Sequence, residues 1–160
     1  MKIKFIIFFI LFCYNQMYSQ QELPKFFLKN NFENRIDISK IDTNNVTVFI
    51  FWATWCVPCI NELDIISEVY EDWKNETKVK IIAISIDDNR SVSRVKPLIN
   101  SKGWEFQVLF DTNQEFKRIM NVTNIPYLIM VKNNKIIFSK SGYVFGSEIE
   151  LYEKIKKNTF

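Results

Sequence analysis

Residues 46–59 read Val46-Thr47-Val48-Phe49-Ile50-Phe51-Trp52-Ala53-Thr54-Trp55-Cys56-Val57-Pro58-Cys59. The first seven are β-branched or aromatic, with no charge among them, so they read as a strand buried on both faces. After Cys59, the residues Ile60, Leu63, Ile66, Val69, Tyr70 and Trp73 recur at three- and four-residue steps, and no glycine or proline interrupts 59–78. That is the period of an amphipathic helix. Val79 to Ile86 is a second apolar run of the strand kind. Strand, helix and strand in this order make a βαβ unit and therefore a parallel sheet.

The chain holds three cysteines and no histidine. Cys56 and Cys59 form a CxxC pair. A covalent c-type haem site needs His directly after the second Cys, and position 60 is Ile. A structural zinc site needs four Cys or His ligands, which this pair cannot complete. As a staple, a disulfide across so short a loop contributes only about 2 kcal/mol, against roughly 4.7 for a 100-residue loop. As a redox centre the spacing is useful, because it keeps a second thiol at hand to resolve a mixed disulfide on the first.

The third cysteine lies in a segment of different character. Lys2 and Lys4 precede an unbroken apolar run, Phe5 to Phe12, and a polar stretch ending in Ser19. This order is that of a secretory signal peptide spanning 1–19, with residues 20–160 as one domain. Met17 is a poor residue three before the cut, and an uncleaved signal anchor is the alternative. Cys13 follows Phe12 rather than a small residue, so it reads as a signal residue and not as a lipid attachment point. Export would take away two lysines and no acids, lowering the formal charge from +3 to +1. A nearly neutral surface gives no reason to expect a nucleic-acid partner.

The remaining elements are shorter. Gln20 to Lys25 is polar, contains Pro24 and reads as a loose start, and Phe26 to Leu28 and Arg35 to Ile38 read as short strands. Val92, Val95, Leu98 and Ile99 mark a helix that Gly103 ends, and Phe106 to Phe110 is a strand. Thr112-Asn113-Gln114-Glu115 and Ser147-Glu148-Ile149-Glu150 have the pattern of capping boxes opening two more helices. Between those helices, Tyr127 to Val131 and Lys135 to Ser139 form a hairpin turned at Asn133-Asn134. Lys154, Lys156 and Lys157 suit the C-terminal end of the last helix.

The stretch 51–59 resembles the thioredoxin-like superfamily, and Asn124-Ile125-Pro126 before a hairpin supports this separately. With the helix and strand between about 91 and 110 and the export signal, the chain resembles the TlpA/ResA type of extracytoplasmic thiol:disulfide oxidoreductase. The resemblance implies an α/β thioredoxin fold, a central mixed sheet flanked by helices with a helix–strand insert around 91–110. It implies that Cys56, at the amino end of a helix, is the nucleophile and that Cys59 is the resolving thiol. It also implies that Pro126 is a cis-proline, leaving the Ile125 backbone open to pair with a substrate strand.

In that type, an acid placed like Glu62, one helical turn after Cys59, moves protons to and from the thiols. A solvated helix carboxylate is the plain alternative. Trp55, Val57 and Pro58 would line the substrate surface, whereas Trp52 reads as core. No cofactor beyond the redox-active disulfide and no metal is implied. The implied partners are protein disulfide clients, apocytochrome c being one known kind, and a membrane thiol carrier as electron donor. Two features depart from relatives. Ile50 stands where ordinary thioredoxins have a buried Asp, and Asp64 stands where many relatives have a helix-kinking Pro.

Two other functions compete. A peroxiredoxin-like thiol peroxidase wants Thr or Ser three residues before the reactive Cys and Pro seven before it, where this chain has Ala53 and Phe49. A non-catalytic thioredoxin-fold binding module would keep the CxxC as a relic.

Overall fold

The computed structural model describes residues 21–159. The expected signal segment, Cys13 included, lies outside the described residues.

The apolar run at 46–52 forms an interior strand of the sheet. Seven strands are involved: β1 (Phe27–Asn30), β2 (Arg35–Asp37), β3 (Thr47–Trp52), β4 (Lys80–Ser85), β5 (Gln107–Phe110), β6 (Tyr127–Lys132) and β7 (Lys135–Ser141). They lie in the order β2-β1-β5-β4-β3-β6-β7. β3 runs parallel to β4, and β4 parallel to β5. The remaining pairs are antiparallel, so the sheet is mixed.

All six residues of β3 are buried. Successive side chains alternate between the faces of a strand. Phe51 accordingly stacks on Phe116, 5.7 Å between ring centroids, while Trp52 meets Trp104 edge-on at 5.1 Å. Ile50, opposite Ala83 and Leu128, is fully buried in the middle of the sheet.

Among the described residues, four α-helices flank the sheet: α1 (Val57–Thr77), α2 (Val95–Lys102), α3 (Glu115–Ile119) and α4 (Ser147–Thr159). The apolar stripe of α1 turns Leu63, Ile66 and Trp73 into the core. α1 stops where Lys78 enters the left-handed region, its N–H on the Lys74 carbonyl at 2.9 Å. Asp64, at the position of the missing proline, ties α1 to the chain after α2 by accepting from Lys102 Nζ at 2.6 Å and Trp104 Nε1 at 3.0 Å. Trp73 stacks on Tyr152 at 5.0 Å and joins α1 to α4. The segment 91–110 contains a 3-10 turn, α2 and β5. At the 133–134 turn both asparagines have positive φ, 51° and 63°. This is the two-residue hairpin geometry that asparagine tolerates.

Three expectations need correction. The segment at 21–23 is not loose: Leu23 is buried, its N–H bonds the Asn134 carbonyl at 3.1 Å, and Glu22 bridges Lys135. A single apolar side chain in a polar stretch was enough to anchor it to the β6–β7 hairpin. The capping box at Thr112–Glu115 does not form. Gln114 turns into the left-handed region (φ 56°), and the buried Asp111 accepts from the N–H groups of Phe116 and Lys117 at 3.1 and 2.8 Å. The box at Ser147–Glu150 is also absent. Ser147 is the first helical residue, its N–H bonds Val144, and Glu150 pairs with Lys140 and Lys154.

The reassigned cap gives a direct expectation. Asp111→Ala should destabilise the protein by about 1–2 kcal/mol through loss of the cap. Thr112→Ala should stay within about 0.5 kcal/mol. Denaturant titration of the two variants distinguishes them, and the reverse ranking would restore the sequence-based cap.

Candidate active site

The chain leaves β3 at Trp52 and must turn into α1 within four residues. Cys56 sits at that junction as the N-cap of α1, with extended backbone (φ −97°, ψ 92°). Its N–H bonds the Ala53 carbonyl at 3.0 Å, and its carbonyl accepts from Ile60 at 3.1 Å. Its sulfur accepts from the Cys59 N–H at 3.3 Å. A sulfur therefore occupies the place where Ser or Asp would cap. The free N–H groups and positive dipole end of a 21-residue helix favour negative charge there. Pro58, in the first turn, has no N–H to leave unpaired.

Cys56 and Cys59 form a disulfide, with Cα atoms 5.3 Å apart. The two cysteines are unequal, since Cys56 is 6% exposed and Cys59 not at all. Around Cys56 the surface is apolar and open, with Trp55 58% and Val57 66% exposed. Trp52 is fully buried. A cavity of about 340 Å³ adjoins Trp55, lined also by Ile86, Asp88, Arg90, Ser91, Arg94 and Gln114.

The Ile125–Pro126 bond is cis. Phe51 pairs with Tyr127, so the antiparallel register brings Pro126 to the end of β3 that leads to the cysteines. Pro126 is buried, Ile125 is half-buried, and the Gly142 N–H bonds the Pro126 carbonyl at 2.8 Å.

Glu62 is not a solvated helix carboxylate. It is 3% exposed, and its Oε2 is sealed without a protein partner. Burial pushes its carboxyl up from 4.5 to about 7; the Lys140 charge opposes this and the Glu148 charge adds to it. A carboxyl poised near neutrality can both take up and release a proton.

One residue of the site escaped sequence reasoning. Asp87, two residues after the end of β4, is buried and accepts from the Thr54 N–H at 2.9 Å, the Thr54 hydroxyl at 2.6 Å and the Ser85 hydroxyl at 2.9 Å. It fixes the 53–55 turn on which Cys56 stands. The only signal was an acid ending an apolar run. Asp87→Ala should leave these donors unpaired and destabilise by about 2–4 kcal/mol in denaturant titration. A loss below about 0.5 kcal/mol would show that the turn holds without it.

The chain matches the AhpC/TSA family over residues 19–144. Thiol-disulfide oxidoreductase ResA of Bacillus anthracis is 29% identical over 136 residues, covering 84% of this chain and 76% of that protein. Sporulation thiol-disulfide oxidoreductase A of Bacillus subtilis is 25% identical over 108 residues, covering 67% and 64%. Among solved structures, an uncharacterized thioredoxin-like protein from Porphyromonas gingivalis superposes with a TM-score of 0.76 at 42% identity, covering 86% and 91% of the two chains. StoA from Bacillus subtilis superposes at 0.66 with 20% identity, covering 83% and 99%, a likeness of fold. The chain belongs to the AhpC/TSA family and is a thioredoxin-fold thiol-disulfide oxidoreductase.

Proposed function

We propose that the protein is an exported reductant of protein disulfides that cycles between a Cys56/Cys59 dithiol and the disulfide. The observation that carries this reading is the sulfur of Cys56 capping a helix while Cys59 is sealed one turn behind it. The Cys56 thiolate attacks one sulfur of a client disulfide and expels the other as a thiolate. The Cys59 thiolate then attacks Cys56 Sγ and releases the second client sulfur. Two electrons pass to the client, and the protein is left as the disulfide. A membrane thiol carrier restores the dithiol, and no bound cofactor is invoked. Trp55, Val57, Pro58 and the Ile125–Pro126 backbone form the client surface, which suits an extended segment pairing along Ile125.

Export is supported by the basic start, the apolar run and Ser19. No helix among the described residues is long and apolar enough to cross a membrane. Peroxide reduction is disfavoured because Ala53 and Phe49, at the positions that chemistry needs, are both fully buried and carry no hydroxyl or proline ring.

Two measurements test the proposal. Equilibration with a thiol buffer should give a potential near that of thioredoxin, about −270 mV; a value near −120 mV would mark an oxidant instead. Cys59→Ala should accumulate clients as mixed disulfides on Cys56, and an empty trap would count against the reading.

Glu62 carries a pH signature. Its proton is held more tightly in the folded chain than in the unfolded one. Between pH 4.5 and about 7 the folded state therefore binds more protons, and stability falls as pH rises. Below this window the penalty vanishes, and above it the penalty is constant. Glu62→Gln should match the parent oxidised protein in stability at pH 4 and exceed it by up to ~3 kcal/mol at pH 8. The same substitution should slow disulfide reduction and remove a rate inflection near neutrality. Unchanged rates would make Glu62 merely structural.

A further inference from the structure

Glu62 is not isolated. Tyr143 Oη and Glu148 Oε2 are, like Glu62 Oε2, sealed from solvent without a partner among the described residues. The three groups sense one another: Glu148 and Glu62 both act on the Tyr143 hydroxyl, which burial pushes up, and Glu148 acts on Glu62. Among the described residues, Lys140 on β7 is the one cation acting on Glu62, and its Nζ is held by Glu150 Oε2 at 2.8 Å. The backbone fixes the cluster. Gly142 is hydrogen-bonded to Pro126, which holds the 142–146 connection beside the cis-proline, and the Trp73–Tyr152 stack docks α4 on α1.

Orphaned polar atoms are costly inside a protein, and a group of them is commonly satisfied by shared water. Burial also falls outward along the series. Cys59 is fully buried, Glu62 nearly so, and Tyr143 and Glu148 are half-buried residues whose remaining surface meets solvent. Glu148 does not belong to a reciprocal capping box, and neither Tyr143 nor Glu148 makes a side-chain hydrogen bond among the described residues.

We propose that Tyr143 and Glu148 are positioning residues that pass the Glu62 proton to and from solvent through water held between their sealed oxygens. During client reduction, the Cys59 thiol gives its proton to the Glu62 carboxylate, and the thiolate so formed attacks Cys56 Sγ. Protonated Glu62 then donates toward the Tyr143 oxygen while the Tyr143 hydroxyl hydrogen moves on to the Glu148 carboxylate. Glu148 releases the proton to bulk water, and Tyr143 ends neutral as it began. Regeneration of the dithiol runs the same path inward. This inference rests on the reading of Glu62 as the proton carrier.

The test compares Tyr143→Phe, Glu148→Gln and Glu62→Gln, singly and combined, in single-turnover reduction of a model peptide disulfide across pH 5–9 in H2O and D2O. The two relay variants keep side-chain shape, and the Glu62 carboxyl is followed by NMR titration of the oxidised protein, a readout that needs no turnover. The relay predicts that each relay variant slows reduction by roughly tenfold, less than loss of a direct proton donor. It also predicts an altered solvent isotope effect, a lower Glu62 titration midpoint in Glu148→Gln, and no further slowing once Glu62 is Gln. Normal rates and isotope effects in both relay variants, with Glu62→Gln slow, would overturn the relay and leave Glu62 in place. Slowing that adds in full to that of Glu62→Gln would overturn it too. A Glu62→Gln variant with normal kinetics would remove both readings.

Discussion

The hydrogen bond from the Cys59 N–H to the sulfur of Cys56 is the contact on which the chemistry depends. It exists because β3 ends and α1 begins within four residues, so the start of the helix is aimed at the sulfur. Both sides of the junction are over-determined. β3 is buried on both faces and bonded to two neighbours, which fixes where the turn starts. α1 is held by its apolar stripe, by Asp64 and by the Trp73–Tyr152 stack, which fixes where the turn ends. Asp87 ties down the turn itself. A loop anchored at both ends and in the middle has little freedom to move its sulfur, and preorganisation of this kind keeps a helix-end field effective.

The site is asymmetric by construction. Cys56 keeps a small exposure (6%) beside exposed Trp55 and Val57, and Cys59 keeps none. A cysteine at the rim of an open apolar surface suits attack on a bulky partner, and a sealed one suits intramolecular attack. Sealing has a consequence for protons, because a thiol out of reach of water needs a neighbour to exchange with. Glu62 is on the same helix one turn on, buried, and poised near neutral pH by desolvation. The same kind of burial that seals Cys59 therefore gives Glu62 its titration range.

Local pattern made much of this readable in the sequence. The 46–52 run, the helical stripe after Cys59 and the second run at 79–86 each span a whole element whose burial matches its period. The parallel pairing of the two runs followed from βαβ logic. The insert and the asparagine turn were legible for the same reason, as chemistry packed into a few residues. The misreadings share a cause. Thr112–Glu115 and Ser147–Glu150 have the letters of a capping box, but a cap depends on backbone direction. At 111–117 a buried aspartate outside the motif took the N–H groups, and at 147–150 Glu150 found lysines. Leu23 was invisible because one apolar residue carries no period. Asp87 reaches the Cys56 turn through Thr54, 33 residues away in the chain, and nothing local marks such a partner.

The central claim is that the first cysteine alone faces the partner, with the second behind it. Brief exposure of the reduced protein to limiting iodoacetamide at neutral pH, followed by peptide mapping, tests this directly. Alkyl groups found on Cys56, with Cys59 modified only after unfolding, are the result this account predicts. Modification of Cys59 first, or of both cysteines at equal rates, would contradict it.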